Sequence, residues 1–336
     1  MSDEPIYSIE NMVIDLYATT VSVRAVDGVS FNVRPGETVA VVGESGSGKT
    51  VMTLGPLGLL PEGVTVDIKG SARAEASELV GMESRRLSDL RGRYFGVIFQ
   101  DPMSALNPML KIGPQLSRQA RRFANLSHAD ARKEAVSLLA RTGIPDPEDR
   151  YDRYPHEMSG GMLQRAMIAL ALASRPRVLI ADEPTTALDA TVQAQILELI
   201  RQIQRDEGIA VVLITHDIGV VASVADRVMV LYAGQVAEEG TAMDVLTQPT
   251  HPYTRGLLAS VPDFRADERA ATKEIPGLPP NQIKLEPGCR FAARCELVEP
   301  ECRVHRPPLQ TISTAGTPHK VACPVVLRRE GIAVHG

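Results

Sequence analysis

The 336-residue sequence has no tryptophan, and aromatic residues make up only 4% of it. Its interior must therefore be built mainly from aliphatic side chains. There is no cysteine before residue 289; all four, Cys289, Cys295, Cys302 and Cys323, fall near the end. No run approaches the ~20 apolar residues needed to cross a bilayer. The most apolar stretches, such as "IAVVLI" at 209–214, are short enough to be a buried strand or helix. Nor is there an excess of positive charge. The net charge is −5, so no global basic field draws the chain onto nucleic acid or anionic lipid. The opening "MSDEPIYSIE" is acidic and lacks the pattern of a secretory signal. The expectation is a cytoplasmic chain, where disulfides are disfavoured and clustered cysteines more often bind metal or do redox work.

What is present is a strand followed by a glycine-rich turn. In "TVAVVGESGSGKT", Thr38, Val39, Val41 and Val42 are β-branched and read as a strand buried on both faces. Gly43-x4-Gly48-Lys49-Thr50 then has the spacing of a phosphate-binding loop. Across Gly43, Glu44, Ser45, Gly46, Ser47 and Gly48, backbone N–H groups can turn inward around phosphate oxygens. Lys49 adds a charge for the β and γ phosphates, and Thr50 offers a hydroxyl to Mg²⁺. The helix that follows is predicted to kink or stop near Gly55-Pro56, where proline removes a hydrogen bond.

A second apolar run, Val178 to Ala181, ends in Asp182-Glu183. Ligands bind at such strand ends in parallel sheets. Asp182 can hold Mg²⁺, and Glu183 can polarise a water for attack on a γ phosphate. A third run, "VVLITHD", ends at His216, placed to stabilise that phosphate. Between them, Ser159-Gly160-Gly161 reads as a helix start with Ser159 as its cap. It is a second anion site in a chain that needs only one.

Taken together, Gly43–Thr50, Gln100, "SGGMLQR" at 159–165, "VLIADEP", "ALD" at 187–189 and His216 resemble an ABC-transporter ATPase subunit. The resemblance implies a P-loop (RecA-like) α/β core, an antiparallel β subdomain and a helical signature subdomain. It also implies that ATP is sandwiched between one subunit's phosphate loop and the other's signature motif. Ser159, Gly160, Gly161 and Gln164 would then serve the partner's nucleotide. Gln100 would contact Mg²⁺ and link to the membrane subunit, Asp189 would lie at the dimer seam, and Glu183 would be the catalytic carboxylate. Tyr17 is the candidate for stacking on adenine, with a plain strand-surface role as the rival reading. "FQDPMSALNPMLKIGPQL", "THDIGVVA" and "HPYTRGLLASVP" narrow the resemblance to the oligopeptide/dipeptide permease branch, which includes nickel and glutathione importers. This implies two transmembrane permease subunits, a second and different ATPase subunit, and an extracytoplasmic binding protein that acts indirectly. It places the chain peripherally on the cytoplasmic face of the inner membrane. A soluble, non-transport ABC ATPase is the rival class; the single ATPase unit argues against it.

Residues 1–245 are expected to form the ATPase domain. Within it, the N-terminal 36 residues alternate as antiparallel strands, and about 101–165 are helical. Residues 246–336 multiply prolines and are expected to be a loop-rich extension with little core of its own. Its cysteines are spaced Cys-x5-Cys-x6-Cys-x20-Cys, which fits neither a zinc ribbon nor a ferredoxin run. Four thiolates still suit a [4Fe–4S] cluster or Zn²⁺, with free thiols as the third reading. The resemblance favours the cluster, which would then fold the tail.

Overall fold

Alternation and β-branching place most strands where the sequence predicts them. The structure, a computed structural model, describes residues 4–18, 21–61, 63–186, 188–260, 274–283, 285–313 and 317–335. Ala187 of the "ALD" stretch and Pro262 of the proline series lie outside these residues. The strands are β1 (Tyr7–Ala18), β2 (Val21–Val33), β3 (Thr38–Val42), β4 (Thr65–Ala74), β5 (Ser77–Glu78) and β6 (Phe95–Ile98). They continue with β7 (Val178–Asp182), β8 (Ala210–Thr215), β9 (Arg227–Tyr232), β10 (Gln235–Thr241), β11 (Gln310–Ser313) and β12 (His319–Val321). The chain divides into two compact units. One comprises Met1–Ser8, Asn32–Thr38 and Arg73–Ile214; the other comprises Ile9–Phe31, Val39–Ala72 and Thr215–Gly336.

In the first unit β6, β7 and β8 run parallel, with Ile98 beside Ala181 and Ala181 beside Leu213. Every residue of β7 and β8 is buried. That is why these strands read as unbroken apolar runs rather than as alternation. The helices are concentrated between residues 102 and 172. The helix His128–Arg141 begins where Ser127 accepts a hydrogen bond from the Asp130 N–H, and it buries Ala131, Ala135, Leu138 and Leu139 on one face. The helix Ala190–Glu207 buries Ile196, Leu199, Ile200 and Ile203 in the same way.

In the second unit β3 pairs with β9 in parallel, and β9 pairs with β10 through a tight hairpin. Ala233 and Gly234 at its turn both have positive φ, 45° and 82°. Such a turn matches the natural strand twist. Strand β1 lies between β2 and β4. The helix Lys49–Leu54 stops at Gly55, as the following proline requires.

The C-terminal extension is loop-rich, as expected, and it is also tied into the sheet of the second unit. Strand β12 pairs antiparallel with β10, and β11 pairs with β12, so the tail lengthens the sheet. Phe291 joins Tyr232, Tyr253, Val42 and Val230 in one buried cluster, with Cys289 and Cys295 packed against it. Three of the chain's few aromatic rings meet here, with Phe291 edge-on to Tyr232 at 5.3 Å and Tyr253 4.5 Å from Tyr232. Apolar packing and strand pairing hold the tail, two sources that its prolines hide in the sequence.

Candidate active site

The phosphate loop is delivered by β3, whose five residues are all buried. Its glycines are required sterically. A Cβ on Gly43 would stand 2.1 Å from the Leu231 carbonyl oxygen. One on Gly48, at φ +100°, would stand 2.2 Å from the Ala25 carbonyl. The loop is folded on itself: Ser47 N–H donates to the Glu44 carbonyl at 3.1 Å, and Gly234 N–H to the Ser47 carbonyl at 2.8 Å. Lys49 is only 5% exposed, and its ammonium donates to the carbonyls of Gly43 (2.8 Å) and Glu44 (3.0 Å). The cation therefore lies across its own loop. The Ser47 hydroxyl is buried and finds no hydrogen-bond partner among the described residues, an orphaned donor of the kind a phosphate oxygen satisfies. Ser45, Gly46 and Thr50 are exposed. In the same unit His216 is exposed just beyond β8, and Tyr17 is exposed at the end of β1 near the charge of Arg24.

The first unit assembles a different set. Asp182 ends β7 and is 5% exposed. Glu183 follows in a left-handed conformation, φ 46°, uncommon for a non-glycine residue and often stored at functional sites. Its N–H donates to the Ile214 carbonyl at 2.9 Å, which fixes the turn. Its carboxylate accepts from the Gln100 amide at 3.2 Å and from the Thr186 hydroxyl at 3.0 Å. Two residues chosen from sequence for separate reasons, Gln100 and Glu183, are thus in contact. Thr186 carries no signal in the sequence beyond its proximity to Glu183.

Ser159 caps the helix Gly160–Leu172, accepting from Met162 N–H at 3.4 Å. Gly160 is exposed, and a Cβ there would meet nothing within 4 Å. A Cβ on Gly161 would touch Val192 at 3.2 Å. Gln164 is 2% exposed and donates to the Pro184 carbonyl at 2.6 Å, tying this helix to the turn after Glu183. Asp189 caps the helix Ala190–Glu207, accepting from Thr191 and Val192.

Strand-end acid, orphaned hydroxyl and open glycine turn each point to phosphate chemistry. The comparisons agree. The ABC transporter family model matches residues 26–186, and that of the oligopeptide/dipeptide transporter C-terminal region matches residues 237–302. The chain is 49% identical over 292 residues to the dipeptide transport ATP-binding protein DppD of Bacillus subtilis strain 168, spanning 87% of each chain. The chain belongs to the ABC-transporter ATPases of the oligopeptide/dipeptide branch. It is also 47% identical over 272 residues to the oligopeptide transport ATP-binding protein OppD of the same organism, covering 81% of this chain and 76% of that protein. Among solved structures it is similar to a dimeric ATP-binding cassette in a post-hydrolysis state with ADP and Pi. That likeness has a TM-score of 0.62 at 26% identity, over 70% of this chain and 98% of the other. This ABC ATPase has the mixed α/β P-loop fold expected of the family, and ATP is its substrate.

Thr50 in the second unit, and Gln100 and Asp182 in the first, each carry a hard oxygen donor of the kind Mg²⁺ takes. The cysteines give a different result. Cys289, Cys302 and Cys323 line one cavity of about 160 Å³, and all four thiols are free and half-buried. Burial, reinforced by the other three thiols, pushes Cys289 up to about 11. Burial likewise raises Cys295 and Cys323. Among the described residues, no group of three or more His, Cys, Asp or Glu could hold a metal ion. The expected [4Fe–4S] or Zn²⁺ centre is therefore not supported by the geometry.

Proposed function

We propose that this ABC ATPase powers the import of peptides through a membrane transporter, as one of two ATP-binding subunits, the second being a different chain. The observation that carries the reading is the combination of the ABC match with the oligopeptide/dipeptide C-terminal match in one chain. The glycine loop and Lys49 take the nucleotide phosphates. Thr50, Gln100 and Asp182 would hold Mg²⁺, which would supply positive charge against the nucleotide phosphates. Glu183 polarises the attacking water, and His216 stabilises the γ position. Ser159 and Gly160 lie open on their own chain, which supports their serving the nucleotide of the facing subunit.

No described helix is long and apolar enough to cross a membrane. Force must therefore pass through a surface to separate membrane chains. The segment from Gln100 to Pro108 is that coupling surface, and the exposure of Met103, Met109 and Leu110 in and beside it supports the assignment. The assembly lies on the cytoplasmic face of the membrane, with an extracytoplasmic binding protein supplying cargo.

The test is reconstitution of the chain with its membrane subunits and binding protein in vesicles. ATP-dependent uptake of labelled di- and oligopeptides is expected. Uptake of nickel or glutathione with no peptide uptake would replace the cargo, and co-purification with ribosomes instead of membrane chains would end the reading.

A further inference from the structure

The second residue of the phosphate loop, Glu44, is held from every side. Its N–H donates to the Tyr253 hydroxyl at 2.9 Å, and its carbonyl accepts from Ser47 and Lys49. Its carboxylate is gripped by the C-terminal extension: Arg294 donates from Nη1 to Oε2 at 2.7 Å and from Nη2 to Oε1 at 3.0 Å. This paired fork is the strongest form of side-chain ion pair. The Arg294 side chain is 5% exposed, and all five of its donor N–H groups have acceptors. The other three go to the Pro276 carbonyl (2.9 Å), the Ile275 carbonyl (3.3 Å) and the Tyr232 hydroxyl (3.2 Å). Nearby, the Gln282 amide donates to the Gly46 carbonyl.

These contacts are directional rather than space-filling. Pro279, Pro280 and Gln282 stand across a cavity of about 210 Å³ from Glu44–Ser47. The outer side of the loop is therefore not packed solid, and apolar packing cannot hold its shape if the polar contacts go. The loop's backbone N–H groups must already point inward for a phosphate to be bound at full strength.

We propose that Arg294 is a positioning residue for the phosphate loop: by clamping Glu44 it fixes the backbone of Gly43–Ser47 in the form that receives ATP, so the extension completes the nucleotide site. This rests on the reading of Gly43–Thr50 as the phosphate cradle.

The test compares Arg294→Met, Arg294→Lys, Glu44→Gln and the double variant Glu44→Gln/Arg294→Met, all in the full-length chain. ATPase kinetics are measured in the assembled transporter, and binding of a fluorescent ATP analogue is measured on the chain alone. Arg294→Met and Glu44→Gln should each raise the KM for MgATP about tenfold, with kcat at saturation within about twofold, since a lost charge-assisted pair is worth roughly one to two powers of ten. The double variant should be no worse than the worse single one, because both remove the same contact. Arg294→Lys, which keeps the charge but not the fork, should fall between. A merely structural role would reduce the active fraction, lowering kcat at unchanged KM; that result overturns the proposal. So does strict additivity of the two changes, or parent-like KM in Glu44→Gln. Lys49→Ala is the control. If it still binds the analogue as the parent does, the cradle reading falls and the proposal with it; if it loses binding while Arg294→Met keeps parent KM, only the proposal falls.

Discussion

Two glutamates stand just beyond the ends of buried strands, and the protein treats them oppositely. Glu44, after β3, is clamped by a buried guanidinium through two short hydrogen bonds. Glu183, after β7, is steered by two neutral groups, the Gln100 amide and the Thr186 hydroxyl. A paired carboxylate has its charge cancelled and its lone pairs occupied, so it serves as an anchor. Neutral donors such as the Gln100 amide and the Thr186 hydroxyl orient a carboxylate without cancelling its charge. The two carboxylates share residue type and strand position and differ in the partners described here.

The largest expected effect tests the second glutamate. Glu183→Gln keeps the shape and removes the charge; steady-state ATPase should fall about 1,000-fold while analogue binding stays within a few-fold of the parent, as for loss of a general base. Turnover at the parent rate would erase the contrast. Next comes Gly160→Asp. Its side chain meets open space on its own chain, and an acid in a helix's first turn is favourable there. Melting temperature should hold or rise, analogue binding by the isolated chain should be unchanged, and ATPase should drop about 100-fold as the new charge opposes the facing subunit's phosphates. Unchanged ATPase would remove this turn from the nucleotide site. The tenfold KM change expected for Arg294→Met lies below these and sharpens the anchor half of the contrast.

A last effect, on stability rather than turnover, concerns the base of that anchor. Glu238 is fully buried and accepts from the Thr250 and His251 N–H groups and bonds His319. Burial holds His251 down from 6.5 to about 4, with Glu238 opposing and Arg255 assisting. The unfolded chain therefore takes up this proton first. Stability should fall as pH drops from 6.5 towards 4, by about 3 kcal/mol in all, and be untouched by this group above that window. His251→Asn keeps an acceptor for the Tyr253 N–H and should flatten the decline in a denaturant titration. An unchanged pH slope would assign the loss to other groups.

Much of this was legible in the sequence because the causes are local. Thr38–Val42 and Val178–Asp182 declare themselves by β-branching and apolar runs, Gly55-Pro56 by proline sterics, and Ser127 and Ser159 by their capping chemistry. Arg294 and Glu44 lie 250 positions apart, and no periodicity links them. The extension's ties to the sheet are hidden for a related reason. Its prolines break it into short pieces, and pieces such as β11 and β12 become strands only by pairing with a neighbour already in place. The metal expectation finds no support among the described residues, and cysteine spacing says nothing about the aromatic cluster that packs behind it.

The tail's strands also decide what the molecule shows to its neighbours in a crowded cell. With β12 on β10 and β11 on β12, the outermost strand is four residues long, irregular between Thr311 and Ser313, and partly covered where His335 N–H donates to Thr311. Short, kinked borders of this kind resist recruitment of foreign strands. A chain shortened before residue 310 would lose that guard and bare the rim of β10, and should be recovered largely as insoluble material.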